Sequence, residues 1–135
     1  MTERERMDKG LVYDCSSSEI MTEQTKHVGY MKEYNTLGLG DEKRMEELLH
    51  IMLAEVGENS YIQPPFYANW GGHHVYLGKW VYVNFNGTFV DDGNIYVGDY
   101  TMIGPNVTIA TAGHPIYPPL REKQLQYNAD VHIGK

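Results

Sequence analysis

The chain has 135 residues, with 18 Asp and Glu against 11 Lys and Arg, a formal net charge of −7. A single cysteine, Cys15, excludes a disulfide framework and a cysteine-built zinc site within one chain. The length allows one domain, or one domain with a small appendage; the acid excess argues against a nucleic-acid or anionic-membrane partner, no apolar run approaches the ~18 residues of a membrane span, and MTERERMDKG lacks the apolar stretch of a signal peptide, so a soluble cytoplasmic protein is expected.

Three helices are predicted first. Thr2 and Glu5 form a capping-box pattern ahead of Met7 and Leu11, and Ser16 and Glu19 repeat it ahead of a segment running to about Tyr34. In that segment Ile20, His27, Met31 and Tyr34 share one side. In the third, Met45, Leu48, Leu49, Met52, Leu53 and Val56 form one apolar stripe, with Asp41 near its start and Gly57 as its stop. Charge thins after this point. Residues 1–56 hold 12 acids and 7 bases, residues 57–135 only 6 and 4, and all six prolines follow residue 63. The second part therefore reads as strands and turns.

An aliphatic or aromatic residue followed by a small or polar one recurs in that second part. The pairs are Leu77-Gly78, Val83-Asn84, Phe89-Val90, Val97-Gly98, Ile103-Gly104, Ile109-Ala110 and Ile133-Gly134, at steps of 6, 6, 8, 6, 6 and 24. The 24 is four sixes, and the 8 is six plus a two-residue insertion near residues 91–94. Strand alternation has a period of 2 and gives no reason for 6. A parallel β-helix does, because each flat side takes six residues, points the larger residue inward and turns the corner at the next. A β-sandwich of evenly spaced strands is the alternative, but it does not explain why glycine follows in four of the seven pairs.

These repeats resemble the hexapeptide-repeat acyltransferases. TERERMDKGLVYD, DEKRMEELLHIMLAEVGENSYIQPPF, VNFNGTFVDD and IYVGDYTMIGPNVTIATAGHPI resemble, more narrowly, the galactoside and maltose O-acetyltransferase family, over essentially the whole chain. The resemblance implies a mainly β fold: a left-handed parallel β-helix over 58–135 with an excursion loop at about 111–130, and an α-helical cap over 1–57. It also implies acetyl transfer from acetyl-CoA to a sugar hydroxyl, in a homotrimer whose active sites lie between neighbouring subunits.

An alcohol must lose its proton as it attacks a thioester, and imidazole suits that task because it titrates near neutrality. His114, in Gly113-His114-Pro115, matches the family's catalytic histidine. Asp14 matches the cap aspartate that reaches acceptor hydroxyls; Asn84 and Asp92 match acceptor-site polar residues, and Tyr82 an aromatic lining position. Asn69 in NWGG stands where relatives tend to carry serine or aspartate, a departure that bears on the acceptor's identity. Asp91 beside Asp92 also fits simple turn formation.

No metal is expected. His73 and His74 are adjacent, so in a strand they face opposite ways. The sequence ends at VHIGK, where the family continues into further coils that hold most of the CoA surface and many trimer contacts, so no CoA-binding residue is assigned. A non-catalytic binding or assembly module derived from such an enzyme is the alternative function.

Overall fold

The computed structural model describes residues 1–135. Three helices lead: α1 (Glu3–Asp8), α2 (Ser18–Tyr34) and α3 (Glu42–Met52). The Thr2–Glu5 capping box forms as predicted, with both reciprocal hydrogen bonds present. The second box does not. Asp14 Oδ1 takes both the Ser16 N–H and the Ser16 hydroxyl, at 2.9 and 2.6 Å, and the N-cap of α2 is instead Ser17, which makes no side-chain cap bond. Of the predicted stripe, Met45, Leu48, Leu49, Met52 and Leu53 are buried. Helix α3 nevertheless ends at Met52, and Val56 lies in a strand.

Ten strands then wind through three flat faces. The first face stacks β1 (Glu55–Val56), β4 (Val75–Leu77), β7 (Ile95–Val97) and β12 (Val131–Ile133). The second stacks β2 (Tyr61–Ile62), β5 (Tyr82–Val83) and β8 (Met102–Ile103). The third stacks β3 (Phe66–Ala68), β6 (Gly87–Val90) and β9 (Thr108–Ala110). Every pairing in these faces is parallel, so the chain is a three-sided parallel β-helix. The seven repeat residues fall into three columns: Leu77, Val97 and Ile133; Val83 and Ile103; Phe89 and Ile109. The step of 8 holds the insertion at the corner between the third and first faces.

Between β9 and β12 the chain leaves the prism. It forms β10 (Ala112–Gly113), the short helix α4 (Pro118–Arg121) and β11 (Tyr127–Asn128), with β10 and β11 paired antiparallel. One cluster of 19 buried residues joins α2 and α3 to the prism interior, and Asn35 fixes the junction by bonding both the N–H and the carbonyl of Phe66, each at 2.8 Å. A second cluster of Met7, Tyr13, Ile20 and Trp70 packs the N-terminal segment on the side of the first coil. No helix is long and apolar enough to cross a membrane.

At Gly57, Gly78 and Gly98, between the first and second faces, the glycine after the inward residue sits where coils stack closely, whereas a Cβ on Gly104 or Gly134 would meet nothing within 4 Å. Gly57, predicted as a helix stop, is one of the close three: a Cβ there would overlap the backbone of Gly78 and Lys79. Because backbone cannot move aside as a side-chain tip can, Gly57→Ala is expected to cost about 2–3 kcal/mol by overpacking. Urea unfolding followed by circular dichroism measures this, and a loss below about 0.5 kcal/mol would contradict the close approach.

Candidate active site

The corner between the third and first faces carries a buried polar network. Asp92, at the insertion, is only 8% exposed. Its Oδ1 accepts from the Asn69 amide at 2.9 Å, one coil below, and its Oδ2 accepts from the Gln126 amide at 3.0 Å, on the excursion. Gln126 Nε2 also donates to the Tyr13 hydroxyl at 2.7 Å, and Asn128 Nδ2 donates to the same oxygen at 3.0 Å. Tyr13 and Gln126 pair as an antiparallel backbone bridge, which carries the N-terminal segment onto the loop. Burial pushes the Tyr13 phenol up to about 12, so it stays neutral beside the carboxylate.

Asp91 does different work. It is fully buried, and its carboxyl accepts the backbone N–H groups of Trp70, Gly72 and His74 at 2.7, 3.0 and 3.4 Å. It therefore ties down the Asn69–His74 turn one coil below, and so positions Asn69 against Asp92. His73 and His74 sit in this turn rather than in the predicted strand. The His74 ring is held by its Nδ1, 2.6 Å from the Asp91 carbonyl, and burial pulls it down to about 4.

His114 follows β10 and is exposed. Its Nδ1 lies 2.8 Å from the carbonyl oxygen of Leu125. A carbonyl can only accept, so Nδ1 carries a proton, and in the neutral ring the lone pair is on Nε2. Leu125 precedes Gln126 directly, so the residue that orients His114 is covalently joined to the one that holds Asp92.

The remaining predicted residues lie elsewhere. Asp14 is next to Tyr13, but its carboxylate is engaged by Ser16, whose hydrogen bonds hold it below the usual carboxylate range. Tyr82, in β5, stacks on Tyr61 with ring centroids 6.1 Å apart. Asn84 follows β5 at the corner between the second and third faces, where its Oδ1 accepts the Phe85 N–H at 2.8 Å. No hydrogen bond joins Tyr82 or Asn84 to the Asp92 network within one chain. An open polar cavity of about 390 Å³ lies beside Asp92, with Asn94, Asn128, Asp130 and His74 among its lining residues and His114 outside it. Gln126, Asn128, Tyr13 and the Leu125 carbonyl were not foreseen. They reach the site through contacts between residues more than 110 apart, or from a loop with no repeat.

The sequence pattern of the maltose acetyltransferase hexapeptide capping motif matches residues 6–57. Galactoside O-acetyltransferase of Lactococcus lactis subsp. lactis is 44% identical over 90% of this chain and 59% of its own length. A solved galactoside acetyltransferase in complex with coenzyme A superposes with a TM-score of 0.89 at 32% identity, over 96% of this chain and 64% of that one. Nodulation protein L of Rhizobium leguminosarum bv. viciae is 37% identical over 99% of this chain and 70% of its own length. The chain belongs to the galactoside and maltose O-acetyltransferase family. It spans about six tenths of the Lactococcus relative. For a member of this family, the matched capping motif covers α2, α3 and the Tyr13 segment that meets Gln126.

Proposed function

We propose that this chain is the acceptor-side part of an acetyl-CoA-dependent O-acetyltransferase, with His114 as general base. The observation that carries the reading is the Nδ1 hydrogen bond to the Leu125 carbonyl, which sets the tautomer so that Nε2 is the ring nitrogen able to take up a proton. Nε2 removes the acceptor's hydroxyl proton as the oxygen attacks the acetyl carbonyl of the thioester. Collapse of the tetrahedral intermediate expels the CoA thiolate, which regains the proton from the imidazolium. Family membership and the likeness to a coenzyme A complex support the choice of co-substrate.

A sugar-like acceptor fits the polar residues. Asp92 keeps a second lone pair on each oxygen for paired hydroxyls, and Asn69 fixes its orientation. We assign Asp14, Asn69, Tyr82, Asn84 and Asp92 to acceptor binding. Because Tyr82 and Asn84 occupy a different corner from Asp92 and His114, the complete site is formed between neighbouring copies in a left-handed, trimeric β-helix. Mixed oligomers test this. Combining His114→Ala chains with Asn84→Ala chains should recover activity that neither shows alone, since some sites then receive both native residues. No recovery would place both groups in one chain's site.

The reaction itself is tested by incubating the protein with acetyl-CoA and a panel of glycosides, following thiol release and the acetyl ester by mass spectrometry. Asp92→Asn should then raise KM for the acceptor by about 10–100-fold, the worth of a hydrogen bond to a charged group. KM for acetyl-CoA should stay within about 2-fold by the same reasoning, because no charge is removed on its side. Equal shifts in both would reduce Asp92 to a turn residue.

A further inference from the structure

The Asn69–His74 turn has a second side, away from Asp92, that lies against helix α2. His73 from the turn and His27 from α2 are stacked there, with centroids 3.7 Å apart and planes 13° apart. Glu23 is one helical turn before His27, so its carboxylate falls on the same face. One donor atom from each of Glu23, His27 and His73 lies within 4.8 Å of the other two. The turn cannot drift from the helix at this point. A Cβ on Gly71 would overlap the His27 carbonyl, so the two backbones are in direct contact. The ring pair is therefore held by a helix and by a turn that Asp91 pins from the coil above.

We propose that Glu23, His27 and His73 bind a divalent transition-metal cation, zinc foremost. Two imidazole nitrogens and one carboxylate oxygen are a borderline donor set, suited to zinc and its neighbours and unsuited to magnesium or calcium, which demand oxygen. Around a tetrahedral zinc, donors 2.0–2.2 Å from the metal stand about 3.3 Å from one another, so modest side-chain rotation closes the site. One donor nitrogen of each stacked ring already lies within 4.8 Å of the other and of a Glu23 carboxylate oxygen, so tilting the rings would bring their lone pairs onto a common ion. The fourth position is left to water. Arg4 from α1 holds Glu23, with Nε 3.1 Å from Oε2, and lies over the Trp70 ring at 4.8 Å. Each carboxylate oxygen has a second lone pair, so Arg4 remains as an outer partner while the carboxylate ligates.

Burial holds both imidazoles below the ordinary histidine range. The charged and titratable groups facing them are Arg4 from α1, Glu23 and Lys26 on α2, and His74 in the turn. The cation joins α2 to the turn between β3 and β4, and so fastens the cap to the prism. It touches neither His114 nor Asp92.

The test is a calorimetric titration of zinc chloride into the protein, with magnesium chloride as control. One zinc per chain is expected, with a dissociation constant on the order of micromolar, and no magnesium binding. Zinc at 100 times that constant should raise Tm by roughly 5–10 °C. His73→Gln and Glu23→Gln should each weaken binding by at least about 10-fold. The unaltered protein supplies a measurement free of folding effects. Among its six histidines, zinc should shift the side-chain nitrogen resonances of His27 and His73 first. Absence of saturable binding below about 100 µM, unchanged affinity in His73→Gln, or shifts confined to His50, His114 or His132 would each overturn the proposal.

Discussion

If His114 is the base proposed above, its replacement by alanine should lower kcat by roughly 10²–10⁴-fold and leave KM for acetyl-CoA nearly unchanged. The size follows from what is lost. Without Nε2 the acceptor must attack as a neutral alcohol, or lose its proton to water in a step with little driving force. Folding should be preserved, because His114 is exposed and its only hydrogen bond is to the Leu125 carbonyl, which can turn to solvent. Steady-state thiol release measures the loss, and added imidazole should restore part of the activity. A variant with native kcat would remove His114 from the mechanism and leave the acetyl-transfer reading without its base.

The fold was legible to different depths along the chain. The six-residue period announced the prism because each face turns a residue inward at the same position in every coil, and the pairing of Leu77 with Val97 and of Val97 with Ile133 is that period made physical. Helix ends were less legible. Ser16 and Glu19 carry a capping pattern, but Asp14 competes for Ser16, so the helix starts one residue later. Val56 has helical spacing, yet pairing of β1 with β4 outweighs the last turn of a stripe.

The site divides in the same way. The Gly-His-Pro context singles out His114 as the candidate base, but nothing local says that Leu125 sets its tautomer. Asp91 and Asp92 look alike in sequence and have opposite surroundings. Asp92 meets side-chain amides, whereas Asp91 meets only backbone N–H groups. That difference arises from the coil beneath, twenty residues away, and has no periodic signature. The pairing of His73 with His27 is hidden for the same reason, since helix α2 and the turn meet only in the folded chain.

Asp91→Ala should be among the most destabilising single changes, at about 3–5 kcal/mol. It leaves the N–H groups of Trp70, Gly72 and His74 buried without acceptors, and each such group costs about 1–3 kcal/mol with partial relaxation. Asp91→Asn should cost less, because the amide oxygen still accepts from one side of the turn. The two differ in pH dependence as well. Burial pushes the Asp91 carboxyl up to about 7, against the pull of the backbone donors. A folded pKa raised above the unfolded value means that its stabilising contribution is full below about pH 4 and is lost as pH rises through about 7. His74, held down to about 4, works in the opposite sense: its contribution grows as pH rises from about 4 to the ordinary histidine range. The wild-type profile mixes the two, and the difference between wild type and Asp91→Asn isolates the carboxyl. Urea unfolding at pH 5 and pH 8 should show the wild type losing ground relative to Asp91→Asn at the higher pH. A constant difference between the two proteins would mean that Asp91 is ionised throughout, with its three backbone donors outweighing burial.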